Sequence, residues 1–355
     1  MRVYAEAIGE LHIVSMGRRE AKEEPEGNLH LYPLHTWRLF RTAALTRRAP
    51  RIVRENGIEV VSAQDPFEHG LAALRAVRGT KAKLHIQVHT DFLSPWFVRS
   101  GNWRSPQVRM PLLNRLRRQW ADRVLPKASG IRVVSKRIQD SLKERYGSHI
   151  VAPVVIPVAV NSSMPTPVHL PAHPFTFALI SVSRLEPEKR VEDILTALAI
   201  VTKHYPMVGL FVVGEGRERV KLERYTRTLS LTHKVVFLGH RTDARALLPS
   251  AQAYIQASAY EGYGLTLVEA ALARVPIITT DVGIVGEVFR GYEDVLSVPV
   301  ADPIALSFAI IGLIEDTAVR QELPRRAEDA VRAHLATQTG AERIKNDLQQ
   351  AILKK

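Results

Sequence analysis

The chain has 355 residues, 46% of them hydrophobic, a formal net charge of +13 at pH 7 and no cysteine. That length favours two domains with sizeable cores, and the lack of cysteine excludes a disulfide framework, thiolate metal sites and cysteine nucleophiles. No run approaches the roughly 18 uninterrupted apolar residues of a spanning helix, and the N-terminus has no secretory pattern, which points to the cytoplasm.

In chain order, short β-rich apolar runs alternate with helical patterns, which predicts an α/β protein of two Rossmann-like doubly wound domains facing a cleft. Strands are expected at 11–15, 58–63, 84–88, 131–134 and 151–156, within an N-terminal, acceptor-side domain at 1–160. Residues 1–150 carry 27 Lys and Arg against 14 Asp and Glu, whereas 151–355 carry 22 of each. The whole excess therefore lies in the first half. It suits an anionic partner there, such as an acidic membrane surface, a phosphorylated lipid carrier or nucleic acid; a merely solubilising basic face is the plain alternative. Within it, the 96–123 stretch interleaves Trp96, Phe97, Trp103 and Trp120 with Arg99, Arg104, Arg109, Arg115, Arg117, Arg118 and Arg123. Leu112, Leu113, Leu116 and Trp120 can share one helical face, as in a helix lying on an anionic bilayer, or one packed on its own domain.

Pro165, Pro167, Pro171 and Pro174 mark a linker at 161–174. Strands follow at 176–182, 209–213, 234–238, 253–257 and 275–280 in a second domain at 175–335. A C-terminal helix within 336–355 is expected to pack back toward the first domain.

Two elements of the second domain carry chemistry. Glu261-Gly-Tyr-Gly-Leu-Thr-Leu-Val-Glu269 follows a strand and opens a helix. Gly262 and Gly264 permit close backbone approach, and a helix start offers N–H groups to a phosphate. Glu261 and Glu269 accept hydrogen bonds from sugar and ribose hydroxyls. Thr266 to Glu269 also fits a capping box, a purely structural alternative. Ser183-Arg-Leu-Glu-Pro-Glu-Lys-Arg190 follows the domain's first strand, and Arg184 and Lys189 there suit a diphosphate, or are simply a solvated charged loop.

At these residues the chain resembles the retaining glycosyltransferases of family 4, which carry an Arg-Leu-x-x-x-Lys element and a Glu-x7-Glu element in this order. Val213-Gly-Glu-Gly216, Phe237-Leu-Gly239 and Val275-Pro-Ile-Ile-Thr-Thr-Asp-Val-Gly283 are similar to family positions around the nucleotide and sugar, and Val88-His-Thr-Asp-Phe92 to a histidine loop. The resemblance implies a GT-B fold and metal-independent transfer, with retention, from a UDP- or GDP-sugar to a glycan or lipid-linked acceptor, with no cofactor. It assigns Arg184 and Lys189 to the departing diphosphate, Glu261 and His89 to the donor sugar, and Glu269 to the ribose. It places Gly262, Tyr263, Gly264, Leu265, Thr266, Gly214, Gly216, Leu238 and Gly239 around the donor. A buried structural role is the alternative for His89.

Three departures stand out. Arg190 and Ile284 occupy places where the family usually has glycine, and both are expected to narrow the donor pocket. Met1-Arg-Val-Tyr-Ala-Glu-Ala resembles the end of the family's first helix, so that the usual first strand and Gly-rich loop are missing. The expectation is a start assigned too late in the reading frame, or a truncated, inactive sugar-nucleotide-binding or membrane-scaffold protein. A nicotinamide dehydrogenase is disfavoured because Gly214-Glu-Gly216 lacks the fingerprint's third glycine. No nucleic-acid module accompanies the basic half, so nucleic acid is not an expected partner.

Overall fold

The computed structural model describes residues 2–15, 25–34, 36, 41–98, 112–337 and 340–354. They fall into two compact units. The first takes the described residues up to Leu93, those from 112 to 158 and those from 340 onward; the second takes 94–98 and 159–337.

The first unit contains α1 (Arg2–Ile8), β1 (Leu11–Ser15), β2 (Pro25–Glu26), β3 (Leu29–Pro33), α2 (Arg41–Glu55), β4 (Val60–Ala63), α3 (Glu68–Val77) and β5 (Lys83–Val88). The short α4 (Pro95–Val98) groups with the second unit, after which α5 (Leu112–Val124), β6 (Gly130–Val133), α6 (Lys136–Tyr146) and β7 (Val154–Val155) complete the first. Its strands form two sheets, ordered β1-β3-β2 and β4-β5-β6-β7. That division cannot be read from the hydrophobic pattern, which gives each strand but not its neighbours. Among the described strands none pairs with the outer edge of β1 or of β4. Strands β2 and β3 were also unanticipated, because prolines and histidines mask their alternation.

The C-terminal helix Gly340–Leu353 belongs to the first unit. Lys83 Nζ donates to the Lys354 carbonyl and Arg343 Nη2 to that of Val155, both at 2.8 Å.

The second unit runs through β8 (Phe177–Val182), α7 (Val191–Val201), β9 (Val208–Val213), α8 (Arg219–Thr228), β10 (Val235–Gly239), α9 (Ala244–Leu247) and β11 (Ala253–Gln256). It continues through α10 (Leu265–Leu272), β12 (Ile277–Thr280), β13 (Leu296–Val298), α11 (Pro303–Glu315) and α12 (Thr317–Ala336). All six strands are parallel, in the order β10-β9-β8-β11-β12-β13. Every residue of β9, β11 and β12 is buried, as expected for a parallel sheet covered on both faces. Leu179, Ile194, Leu198, Leu210, Ile255 and Ile310 form the centre of its core. The order changes direction between β8 and β11, the first and fourth strands of the unit, which places their carboxyl-end loops side by side. Asp302 caps α11 and Asp316 caps α12 through their side chains.

Candidate functional site

The loops after β8, β9, β10 and β11 are fastened to one another mainly through their backbones. Ser183 N–H donates to the Val213 carbonyl at 3.0 Å, Leu185 N–H to that of Glu215 at 2.9 Å, and Gly214 N–H to that of Gly239 at 2.7 Å. Gly214 adopts φ 132°, and a Cβ built on it would lie 1.8 Å from the Ser183 carbonyl oxygen. Only glycine permits that approach. Gly216 is similarly close to Leu185, while Leu238 and Gly239 end β10, half-buried beside the same loops.

On this platform the loop after β8 turns at Pro187–Lys189, and the Glu188 carbonyl accepts from Ala259 N–H at 2.7 Å. Lys189 Nζ and Ser258 Oγ both donate to Glu261 Oε1, at 2.5 Å and 2.7 Å. Lys189 and Glu261 are mostly buried, 16% and 14% exposed. Arg184 differs: 72% exposed, it reaches among the described residues only Glu188, at 3.3 Å. The two cations assigned to one diphosphate are thus one fixed and one extended into solvent.

Helix α10 begins after Gly264, which has φ 98° and ψ 56°, so Leu265 and Thr266 are the first helical residues and their N–H groups precede the helix's own ladder. Thr266 Oγ1 instead donates to Gln256 Oε1 at 3.1 Å. Because Gly264 and not Thr266 is the cap, Glu269 closes no capping box. Burial raises the Glu269 pKa, opposed by the Arg245 guanidinium. Arg245 Nε lies 3.5 Å from Glu269 Oε1 without a hydrogen bond, while its Nη2 holds the linker carbonyls of Asn161 and Ser163. Glu269 therefore keeps acceptor capacity beside a helix start, a place that suits a vicinal diol next to a phosphate.

The Glu261 loop is buttressed from behind. Ile284 N–H donates to the Tyr263 carbonyl at 3.0 Å, and Gly283 lies so close that its Cβ would meet that oxygen at 2.4 Å. Tyr263 is buried, with its hydroxyl 3.0 Å from His334 Nε2 on α12; burial lowers the His334 pKa, which favours the neutral ring. Gly262 is buried in the same loop.

The two expectations of a narrowed pocket are corrected. Ile284 is completely buried in the core. Arg190 has φ 47° and ψ 40°, the left-handed region that favours glycine, the residue that the resemblance leads one to expect there. It is buried, paired with Asp193 through Nε at 2.6 Å and Nη2 at 3.1 Å, and its guanidinium lies over the Trp96 ring at 5.5 Å. Trp96 and Phe97 of the basic aromatic stretch pack on the protein here, Trp96 half-buried under that guanidinium and Phe97 buried against Tyr260. Arg99, Trp103, Arg104 and Arg109 lie outside the described residues. On α5, Leu112, Leu113 and Leu116 are exposed, while Arg117 pairs with Glu68.

In the first unit His89 is half-buried after β5, and its Nε2–H donates to Gln87 Oε1 at 3.1 Å. Arg132 Nη1 donates to the same oxygen at 2.7 Å. Gln87 Nε2 donates to Ser62 Oγ, Ser62 to His85 Nδ1, and His85 Nε2–H to Asp347 of the C-terminal helix, at 3.0, 2.8 and 2.9 Å. This direction of donation leaves His89 Nδ1 as an acceptor. Burial, then Arg132, lowers its pKa to about 4. The ring is neutral near pH 7. Gln87, Arg132, Ser258, Arg245 and His334 were missed in the sequence; the available signal was a polar residue inside an apolar strand run, as in Leu84-His-Ile-Gln-Val88.

Residues 175–333 match the family of glycosyl transferases group 1, and residues 2–163 match glycosyltransferase family 4. Glycogen synthase of Mycobacterium tuberculosis is 34% identical over 166 residues, 46% of this chain and 40% of that protein. N-acetyl-alpha-D-glucosaminyl L-malate synthase of Bacillus anthracis is 29% identical over 153 residues, 43% of this chain and again 40% of the relative. The match thus spans well under half the length of these relatives. Among solved structures, sucrose-phosphate synthase from Thermosynechococcus elongatus is similar with a TM-score of 0.79 at 20% identity, covering 98% of this chain and 90% of that one. Anabaena HepE, in complex with UDP and glucose, gives 0.69 at 20% identity over 91% and 85%. These likenesses establish a GT-B fold of two Rossmann-like units.

Proposed function

We propose that this chain, which belongs to the group 1 glycosyltransferases of the family 4 type, moves a hexosyl unit from a nucleoside-diphosphate sugar to a glycan or lipid-linked acceptor, with retention and without a metal. The observation that carries this reading is the Lys189–Glu261–Ser258 cluster, set beside the α10 start on loops fastened through backbone. Negative charge grows on the diphosphate as the glycosidic bond breaks, and Lys189, held in advance, stabilises it most in the transition state. Arg184 closes on the same group from solvent, the Leu265 and Thr266 amides bind phosphate, Glu269 takes the ribose diol and Glu261 the sugar hydroxyls. His89, on the first unit, is neutral with Nδ1 as an acceptor suited to a sugar hydroxyl. The leaving diphosphate accepts the acceptor's proton on the same face, so no protein nucleophile is needed.

UDP- or GDP-sugars are the expected donors; HepE, named above in complex with UDP and glucose, favours the first. Calorimetric titration of UDP-, GDP- and ADP-sugars into the wild type and Glu269→Ala tests the site. One class should bind and the variant should weaken it; equal binding by a folded variant would remove Glu269 from the site. The exposed leucines of α5 within a basic half support a lipid-linked acceptor at an anionic membrane surface on the cytoplasmic side. Sedimentation with phosphatidylserine vesicles at low salt tests this, and a chain left in the supernatant argues against it. No helix among the described residues is long and apolar enough to cross a membrane.

A second reading, sugar-nucleotide binding without turnover, is favoured by the division of the first unit's strands between two sheets. Donor binding with no transfer to any acceptor would select it.

A further inference from the structure

In the first unit, β1 and β3 run parallel in a register that places His12 beside His30. The two imidazoles stack with centroids 4.4 Å apart and planes 12° apart. Their Nε2 atoms converge on one carboxylate oxygen, Glu10 Oε1, at 3.2 Å from His12 and 2.9 Å from His30. The ligand atoms of all three residues lie within 4.8 Å of one another. The His12 side chain is 7% exposed, and among the described residues its Nε2 finds no hydrogen-bond partner in spite of its nearness to Glu10. The opposite nitrogen, Nδ1, is 3.0 Å from Tyr32 Oη, two residues further along β3 than His30.

Packing alone accounts poorly for this arrangement. A buried ring nitrogen without a partner costs free energy, and stacking two imidazoles on adjacent strands gains little that two aliphatic side chains would not. Two imidazole nitrogens and a carboxylate oxygen turned toward a common point are, however, the donor set of a borderline divalent ion. We propose that Glu10, His12 and His30 bind a divalent cation of the Zn2+ class.

The surrounding chemistry fits. When His12 Nδ1–H donates to Tyr32 Oη, the Nε2 lone pair faces Glu10 and His30, which is how a hydrogen bond on the far nitrogen fixes a metal-binding tautomer. Magnesium and calcium prefer sets made wholly of oxygen, which these residues do not supply. Three protein ligands leave a fourth tetrahedral position for water. The ion would join the α1–β1 turn, which carries Glu10, to two of the three described strands of this sheet. Its role is to hold that sheet together, and the proposed sugar transfer makes no use of it.

The test uses the full chain without an affinity tag, stripped by a chelator and dialysed against Zn2+. Because His12 is buried and its replacement risks misfolding, the variants are His30→Gln and Glu10→Gln, whose side chains are 28% and 61% exposed. The wild type should hold one Zn2+ more tightly than any other, with a rise in Tm. Each variant should lose roughly a hundredfold in affinity for that ion, more than the tenfold typical at the low end for outer-shell changes, while the metal-free Tm stays the same. Co2+ should give the visible absorption of a four-coordinate site in the wild type alone. No tight Zn2+ in the wild type, or the same stoichiometry and affinity in either variant, would overturn the proposal.

Discussion

The two units place polar groups in opposite ways. In the second, the charged residues sit on loops at the carboxyl ends of an apolar sheet, and backbone contacts at Gly214 and Gly283 fix those loops. In the first, polar residues lie inside the strands, where Gln87, Arg132, Ser62 and His85 satisfy one another and reach the C-terminal helix. A loop site can change its side chains without disturbing the sheet beneath. A network inside the strands cannot, so its members are coupled to stability. Replacing the functional side chains on the loops of the second unit should therefore separate activity from folding, and replacing members of the strand-borne network of the first should not.

The largest effect is expected from Lys189→Ala. By analogy with removal of a preorganised oxyanion donor, kcat should fall about 10²- to 10³-fold, while the Tm stays near that of the wild type. Steady-state transfer together with calorimetry checks both, and a large drop in Tm would break the contrast between the units. Next, Gly214→Ala sets a Cβ against the Ser183 carbonyl and forces the platform apart. A cost of roughly 3 kcal/mol or more is expected, within the tail reserved for strain at special backbone positions, and urea unfolding measures it. Asp347→Ala leaves the buried His85 Nε2–H without its acceptor, a cost of about 1–3 kcal/mol. Hydrogen exchange should then show early opening of the C-terminal helix, whereas unchanged protection would uncouple that helix from the network.

The smallest effect concerns acid. His89 titrates at about 4 in the folded chain, below its ordinary 6.5. Between these values the unfolded chain binds more protons, so stability falls as pH drops from 6.5 toward 4. His89→Asn should flatten that part of the stability profile, as measured by urea midpoints across the range.

The same contrast explains what was legible in the sequence. The Glu261 and Lys189 elements could be found because a loop motif is contiguous, and its chemistry is visible before anything is folded. The same holds for strands such as 208–213, whose unbroken apolar run has one reading. Gln87 and Arg132 carry meaning only once β5 and β6 are set side by side, and no local pattern encodes register. The pairing of His12 with His30 is hidden for the same reason. At Arg190 the motif could show that glycine was replaced, but not that Asp193 and Trp96 hold the substitute in a left-handed conformation.

His85 and Asp347 stand 262 positions apart in the chain. During synthesis the N-terminal portion is made first, yet its interior network lacks the His85 partner until Asp347, on the C-terminal helix, has been made. The second unit, contiguous from 159 to 337 but for α4, is complete in sequence before that helix is made. Order of translation and order of completion are thus reversed: the strand-borne network of the first unit gains its last partner only after the whole of the second unit has been made.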